Sequence, residues 1–164
     1  RVEQCILLDP NPQTMKLGIA ADHGGFHAKE KLKEFIQTLD GISLVDYGAE
    51  EYDALDDYPD FAERIARAVA SGEVERGIAI CGSGVGASIA ANKVAGVRAA
   101  LICDTYSARQ GVEHDDMNII CFGARVFGEE LIKEMTKAFL NAKFSGEERH
   151  VRRLNKVLAL ENNE

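Results

Sequence analysis

The amino-acid sequence predicts an α/β protein, a three-layer sandwich in which helices cover both faces of a five-stranded parallel sheet. Short apolar segments of strand length begin near residues 16, 42, 77, 97 and 118, and segments with helical periodicity separate them. Strands joined in succession through helices form right-handed crossovers, which make the sheet parallel and bury it on both faces. Ligands bind such sheets at the carboxyl ends of the strands, so chemistry is expected there.

The first half of the chain predicts two strands and two helices. The apolar run at 16–22 predicts a buried strand, and 28–39 predicts an amphipathic helix because its apolar side chains recur with helical spacing. A second apolar run at 42–47 predicts the next strand. Pro59 marks the start of the helix predicted at 60–71.

The second half continues the alternation with three strands and four helices. Each short apolar run predicts a strand, and each longer segment with one polar face predicts a helix. The last helix is basic in an otherwise acidic chain. The strands are expected at 77–81, 97–103 and 118–122, and the helices at 85–92, 106–112, 129–140 and 148–160.

The size and charge of the chain limit what it can be. Its 164 residues suffice for one domain; we expect 15–164 to form that domain and 1–14, with two prolines, to be an N-terminal extension. The net charge of −8 disfavours binding to nucleic acid or to anionic membranes. No apolar run has the length of a membrane span. The four cysteines form no CxxC pair, so we expect neither a zinc site nor disulfides, and a cytoplasmic location.

Two loops at the carboxyl ends of predicted strands carry residues suited to chemistry. Asp22 and His23 precede two glycines that let a ligand approach the backbone; alternatively, Asp22 only caps the next helix. The N–H groups of the glycine-rich segment 82–86 can form a nest for an anion. Cys81 stands at the entrance to this nest, where negative charge on sulfur is favoured, and is a candidate base or nucleophile. The alternative is an inert buried cysteine.

The same glycine-rich loop also matches a dinucleotide-binding fingerprint. Gly82, Gly84 and Ala87 give the pattern GxGxxA, and Asp104 stands at the end of the next predicted strand. However, the loop follows the third strand instead of the first, and the helix after it has only about two turns. The fingerprint is therefore weak support for a nucleotide site.

Two other groups of polar residues are candidates for function. His114 is flanked by acidic residues, which suits proton transfer near neutral pH; the alternative is a surface histidine in an acidic turn. Arg149 and Arg153 lie four residues apart on one helical face, where both could bind one phosphate, and Arg125 could join them. The alternative is a solvated helix face.

The order of these motifs resembles the type B ribose-5-phosphate isomerase family, which includes galactose-6-phosphate and allose-6-phosphate isomerases. The resemblance covers residues 15–158 and implies a Rossmann-like fold and a homodimer or tetramer with its active site at the subunit interface. It also implies aldose–ketose isomerisation of a phosphorylated sugar, a reaction that needs no metal or redox cofactor. The segments that carry it are ADHGGF (21–26), DYPDFA (57–62), GIAICGSGVGASIAANKVAGVRAAL (77–101), DTYSAR (104–109), EHDDMN (113–118), FGARVFG (122–128) and RHVRR (149–153).

The resemblance implies a role for each candidate residue. Cys81 corresponds to the base that moves a proton between C1 and C2, and Ser83 to a hydroxyl residue, usually Thr, that helps hold the intermediate. His114 corresponds to the residue that opens the sugar ring. Backbone amides hold the enediolate, polar side chains contact the sugar, and arginines bind the phosphate. The residues implied are Gly82, Gly84, Val85 and Gly86 for the enediolate, Asp22 and His23 for the sugar, and Arg125, Arg149 and Arg153 for the phosphate.

One departure from the family pattern bears on the substrate. Asp115 stands where the family usually has Asn, so a carboxylate replaces an amide that can donate to a sugar oxygen. We expect conversion of ribose 5-phosphate to ribulose 5-phosphate by ring opening and a cis-enediolate. The alternatives are a hexose 6-phosphate or tetrose phosphate isomerase, or a non-catalytic module that binds a sugar phosphate or nucleotide. The presence of Cys81, Ser83 and His114 together argues against a binding module, because binding needs no carbon base.

Overall fold

A computed structural model describes residues 14–162, and most of the predicted extension lies outside the described residues. The five strands form one parallel sheet in the order β2-β1-β3-β5-β4. The strands are β1 (Met15–Ala21), β2 (Ile42–Asp46), β3 (Arg76–Cys81), β4 (Ala99–Leu101) and β5 (Ile119–Gly123). The helices are α1 (Phe26–Ile36), α2 (Tyr58–Ala70), α3 (Val85–Ala91), α4 (Thr105–Asp115), α5 (Glu129–Asn141) and α6 (Glu148–Ala159), followed by a 3₁₀ turn at Leu160–Asn162.

Helices cover both faces of the sheet, as the sequence predicts. Helices α1, α4 and α5 pack on one face, and α2 and α3 pack on the other. The alternation of side chains along each strand divides its apolar residues between the two cores. In β5, for example, Phe122 belongs to one core and Cys121 to the other. No helix within residues 14–162 combines the length and the apolar character needed to cross a membrane.

Three elements differ most from the prediction. Strand β4 spans Ala99–Leu101 instead of 97–103, because it lies at the side of the sheet and pairs only with β5 over three residues. Helix α1 ends at Ile36 instead of at 39, because the Thr38 N–H donates to the Phe35 carbonyl, three residues back, and the helical bonding stops there. Helix α4 continues to Asp115 instead of ending at 112, so His114 is helical and does not lie in a turn.

The direction of the chain separates two ends of the sheet. All strands end at one side, the carboxyl end, and each helix that follows runs back towards the amino end. Helix α4, for example, begins at Thr105 after β4 and ends at Asp115 shortly before β5. Its 11 residues rise about 16 Å. Residues at the start and at the end of α4 therefore belong to opposite ends of the molecule.

A fully buried lysine anchors the chain that follows β2. Lys29 on α1 donates from Nζ to Asp46 Oδ2 and to the Ala49 carbonyl, both at 2.7 Å. Lys33, one turn later, donates to the same Asp46 oxygen at 2.6 Å. Burial opposes ionisation of Asp46, but the hydrogen bonds from the two lysines hold its pKa below the ordinary value. The network fixes the start of the segment that leads to α2.

Candidate active site

Cys81 is the last residue of β3, and its thiol is buried at the carboxyl end of the sheet. The Gly84 N–H donates to Cys81 Sγ at 3.0 Å. Gly84 has a φ of 82°, and a Cβ there would lie 2.5 Å from Leu101 Cδ1. Only glycine combines this left-handed backbone with so close an approach. The glycine at 84 therefore lets the loop turn back and direct an amide at the sulfur.

The other residues of the predicted nest continue from this turn into α3. Ser83 is exposed, and its Oγ accepts a long hydrogen bond of 3.4 Å from the Val85 N–H. Val85 and Gly86 form the first turn of α3, whose N–H groups have no partner within the helix. The Tyr58 ring lies against Gly86 and, with Cys81, lines one small cavity. The loop thus presents a hydroxyl and backbone amides beside the thiol.

A second cysteine lies close to Cys81 but is not part of this loop. Cys121 is fully buried in β5 and belongs to the same core as Cys81. Burial raises the pKa of the Cys121 thiol, and the neighbouring Cys81 adds to this effect. Cys121 is therefore a neutral core thiol, and Cys81 is the one directed at the loop.

Arg125 lies against the glycine loop from the side of β5. Its backbone N–H donates to the Gly82 carbonyl at 3.0 Å, and the Ala124 N–H donates to the Cys81 carbonyl at 2.9 Å. These bonds continue the pairing of β3 with β5 beyond the ends of the strands. A Cβ at Gly82 would lie 3.3 Å from Arg125 Cζ, so the guanidinium rests on the loop backbone. Arg125 is exposed, in a position where an anionic group can reach it.

Asp22 and His23 follow β1, which pairs with β3. Asp22 is buried, and its Oδ1 accepts from the Gly25 N–H at 3.1 Å. Gly25 is the N-cap residue of α1, so Asp22 closes the turn before the helix and does not cap it. Burial raises the pKa of Asp22. The His23 Nδ1 lies 2.7 Å from Asp56 Oδ1, and the His23 backbone N–H donates to the same oxygen at 2.9 Å. The hydrogen bond to Asp56 raises the pKa of His23.

These three side chains also form a group that could hold a metal ion. One ligand atom from each of Asp22, His23 and Asp56 lies within 4.8 Å of the others. The spacing of residues along the chain predicts no such group, because Asp56 comes 33 residues after His23. Proton transfer through an enediolate does not require an ion at this position.

His114 lies on the last turn of α4, at the amino end of the sheet. Its ring stacks on that of His150, with centroids 4.0 Å apart, and Gln110 Nε2 lies 2.8 Å from His114 Nδ1. His150 is 1% exposed, and its Nδ1 lies 2.6 Å from Ser145 Oγ. Burial, assisted by the proximity of His114, lowers the pKa of His150. His114 is therefore held by a neutral ring and an amide, and is not a free surface histidine.

The two arginines of the basic patch lie on α6, the helix that carries His150. Arg149 and Arg153 are both exposed, and Arg149 Nε donates to Glu147 at 2.9 Å. Asp115, next to His114, is also exposed.

The predicted site residues therefore fall into two groups, which one chain does not bring together. We call them the thiol group and the imidazole group. The thiol group lies at the carboxyl end of the sheet, and the imidazole group lies at the amino end and on α6. The thiol group comprises Asp22, His23, Cys81, Gly82, Ser83, Gly84, Val85, Gly86 and Arg125; the imidazole group comprises His114, Asp115, Arg149 and Arg153.

Sequence reasoning missed two residues that contact the candidates. Asp56, beside Asp57 and ahead of Pro59, gave no sign that it pairs with His23. His150 lies within the basic patch, but its stacking on His114 joins residues far apart in the chain. In both cases the sequence shows the residue type but does not show which residue it contacts.

The chain is similar to known proteins over most of its length. A family model described as Ribose/Galactose Isomerase matches residues 17–157. Ribose-5-phosphate isomerase B of Escherichia coli is 42% identical over 89% of this chain and 96% of that protein. D-erythrulose-4-phosphate isomerase of Pectobacterium atrosepticum is 39% identical over 80% of this chain and 86% of that protein. The structure of ribose-5-phosphate isomerase B from Mycoplasma genitalium with bound ribulose-5-phosphate has a TM-score of 0.87 and 37% identity, and the match covers 93% of this chain and 99% of that one.

Proposed function

This chain belongs to the ribose/galactose isomerase family as an aldose–ketose isomerase of phosphorylated sugars, and we propose that it interconverts ribose 5-phosphate and ribulose 5-phosphate. The observation that carries the proposal is the buried Cys81 thiol, which receives the Gly84 N–H at the carboxyl end of the sheet. Isomerisation needs a base at carbon, stabilisation of an oxyanion and a group that moves hydroxyl protons. The thiol group offers the first two.

In the proposed mechanism Cys81 acts as a thiolate on the open-chain aldose. It removes the proton from C2, the electron pair forms the C1–C2 double bond, and the negative charge moves to O1. The hydroxyl proton then passes from O2 to O1, and the thiol returns its proton to C1 as the carbonyl forms at C2, which gives the ketose. The Ser83 hydroxyl and the amides of Gly82 to Gly86 donate hydrogen bonds to the enediolate oxygens. Asp22 and His23 contact the sugar, and Arg125 contributes to binding the phosphate. The phosphate takes no part in the chemistry, and its binding energy positions the sugar.

We propose that the imidazole group acts in a second copy of the chain, as a homodimer or tetramer. His114 would open the sugar ring, and Arg149 and Arg153 would complete the phosphate site. The separation of the two groups in one chain supports this arrangement, because the reaction uses both. Exposed apolar side chains on the helices involved also support it, Val85 and Ile89 on α3 and Val157 on α6.

A tetrose phosphate is the second candidate substrate. The Asp115 carboxylate only accepts hydrogen bonds, so it selects a different hydroxyl arrangement from the Asn that is usual in the family. The Pectobacterium relative, named as acting on D-erythrulose 4-phosphate, supports this alternative. We further propose that residues 15–164 are one catalytic domain, with 1–14 as an extension. The free thiols of Cys81, Cys103 and Cys121 support a reducing, cytoplasmic location.

The reaction is tested with a panel of four-, five- and six-carbon aldose phosphates, assayed for ketose formation. Cys81→Ala should abolish isomerisation while sugar-phosphate binding survives within about tenfold, because the thiol is the base and contributes little to binding. Cys103→Ala removes an exposed cysteine outside the thiol group and should leave turnover unchanged. Near-normal kcat in Cys81→Ala would place the base elsewhere.

The shared site is tested by mixing two inactive variants. Cys81→Ala lacks the thiol group's base, and Arg153→Ala lacks a phosphate ligand of the imidazole group. If the site forms between copies, a hybrid dimer holds one site in which both groups are intact, and activity returns on mixing. A site contained in one chain would yield none.

A further inference from the structure

Asp56, in the segment between β2 and α2, is buried in a position that satisfies only one of its two carboxylate oxygens. Its side chain is only 9% exposed. Oδ1 takes both hydrogen bonds from His23, one from the backbone N–H and one from the ring. Oδ2 is buried and has no hydrogen-bond partner among residues 14–162. A buried carboxylate oxygen without a donor costs free energy of folding.

The chemistry of the pair fixes the proton on the His23 ring. An ionised carboxylate can only accept hydrogen bonds, so His23 Nδ1 must carry the hydrogen in its contact with Asp56. No residue in the described range donates to or accepts from Nε2 of this ring. His23 is partly exposed, so a ligand can reach it at the carboxyl end of the sheet.

We propose that Asp56 is a positioning residue, which keeps the hydrogen of the His23 ring on Nδ1 so that Nε2 accepts a hydrogen bond from a hydroxyl of the phosphorylated sugar. This inference rests on the proposed function, because it takes His23 to be a substrate contact. The proposal explains why Oδ2 has no donor. The segment places the Asp56 carboxylate so that Oδ1 binds His23, and this position leaves Oδ2 without a hydrogen-bond partner among residues 14–162. Buried groups that cost stability are found where function requires them.

The test compares Asp56→Asn with the matched control Asp53→Asn. Asp53 lies in the same exposed segment, where its carboxylate accepts from the Leu55 N–H, so its replacement should leave KM and kcat unchanged. Asp56→Asn should raise KM by about tenfold, with kcat within about twofold, because the amide no longer fixes the hydrogen on Nδ1 and the sugar hydroxyl loses its acceptor. The melting temperature should stay equal or rise, because an unpaired buried oxygen loses its charge.

The ¹⁵N chemical shifts of the His23 ring, assigned with His23→Gln, show which ring nitrogen carries the hydrogen without any substrate. The hydrogen should lie on Nδ1 in the unaltered protein and in Asp53→Asn, and Asp56→Asn should move part of the population to Nε2. If no aldose phosphate is turned over by the unaltered protein, the proposed function fails, while the chemical shifts still decide whether Asp56 controls His23. Unchanged chemical shifts in Asp56→Asn overturn the inference, and so does a lowered melting temperature with unchanged KM, which would make Asp56 structural.

Discussion

Replacing the buried Lys29 by Met should lower the free energy of unfolding by about 3 kcal/mol. Met fills most of the volume of the lysine stem, so the loss comes from the ammonium group. Without it the Ala49 carbonyl has no donor, which costs about 1–3 kcal/mol, and Asp46 loses one of two charged partners. Lys33 still donates to Asp46, which limits the loss of stability. In a chain of this length, 3 kcal/mol corresponds to a melting temperature lower by about 6–12 °C.

Lys33→Met is the matched control for this substitution. Lys33 donates to the same Asp46 oxygen, but its side chain is 24% exposed, whereas that of Lys29 is fully buried. Exposed ion pairs contribute about 0–1 kcal/mol, so the control should lose less than about 1 kcal/mol. Urea unfolding and scanning calorimetry, at one protein concentration for all variants, measure both. Equal losses in the two variants, or a loss below about 1 kcal/mol for Lys29→Met, would refute the argument from burial.

Three other results are expected. His114→Ala should cut turnover of a cyclising aldose phosphate about 10²-fold and largely spare a four-carbon aldose phosphate, which cannot close a ring through its phosphorylated oxygen; equal losses on both would place His114 in the enediol step. Exhaustive chelation should leave turnover unchanged, whereas activity lost to a chelator and restored by an added cation would assign an ion to the group around Asp22. The lowered pKa of Asp46 gives stability that is complete above its unfolded pKa of about 3.9 and is lost as pH falls through the folded value. Acid unfolding of Lys29→Met should therefore depend less on pH in that range than unfolding of the unaltered protein.

The local pattern of apolar and polar residues predicts most of the fold, because it depends directly on which side chains are buried. The strand–helix alternation and the strand starts near 16, 42, 77 and 118 agree with the structure, since each strand is an apolar run buried between two helical layers. The strand predicted at 97–103 is longer than the observed β4. Its apolar composition is real, and both Val97 and Ile102 are buried. The extent of β4 is nevertheless set by its one partner strand, and the local sequence does not show that limit.

In the candidate site, too, the sequence predicts the local features and does not predict the long-range contacts. Cys81 and its glycine loop stand together in the sequence, so the nest was predictable from a strand followed by glycines. The bond between His23 and Asp56 and the stack of His114 on His150 join distant segments. Those contacts depend on how the helices return across the sheet. The position of His114 at the end opposite Cys81 follows from the length and direction of α4, which the sequence underestimated by one turn.

The tight fit around Gly82 and Gly84 affects what a mutational scan of this protein would reveal. A methyl group at 84 collides with Leu101, and one at 82 presses on the Arg125 guanidinium. Position 84 would tolerate almost no replacement, although glycine has no side chain that could react with a sugar, whereas at 82 the end of the exposed Arg125 side chain can move aside. A scan scored by growth would therefore rank position 84 with Cys81 and merge packing with catalysis in one signal. Scoring cellular protein abundance in parallel separates the two, because we expect a methyl group at 84 to deplete folded protein and Cys81→Ala to leave it abundant and inactive.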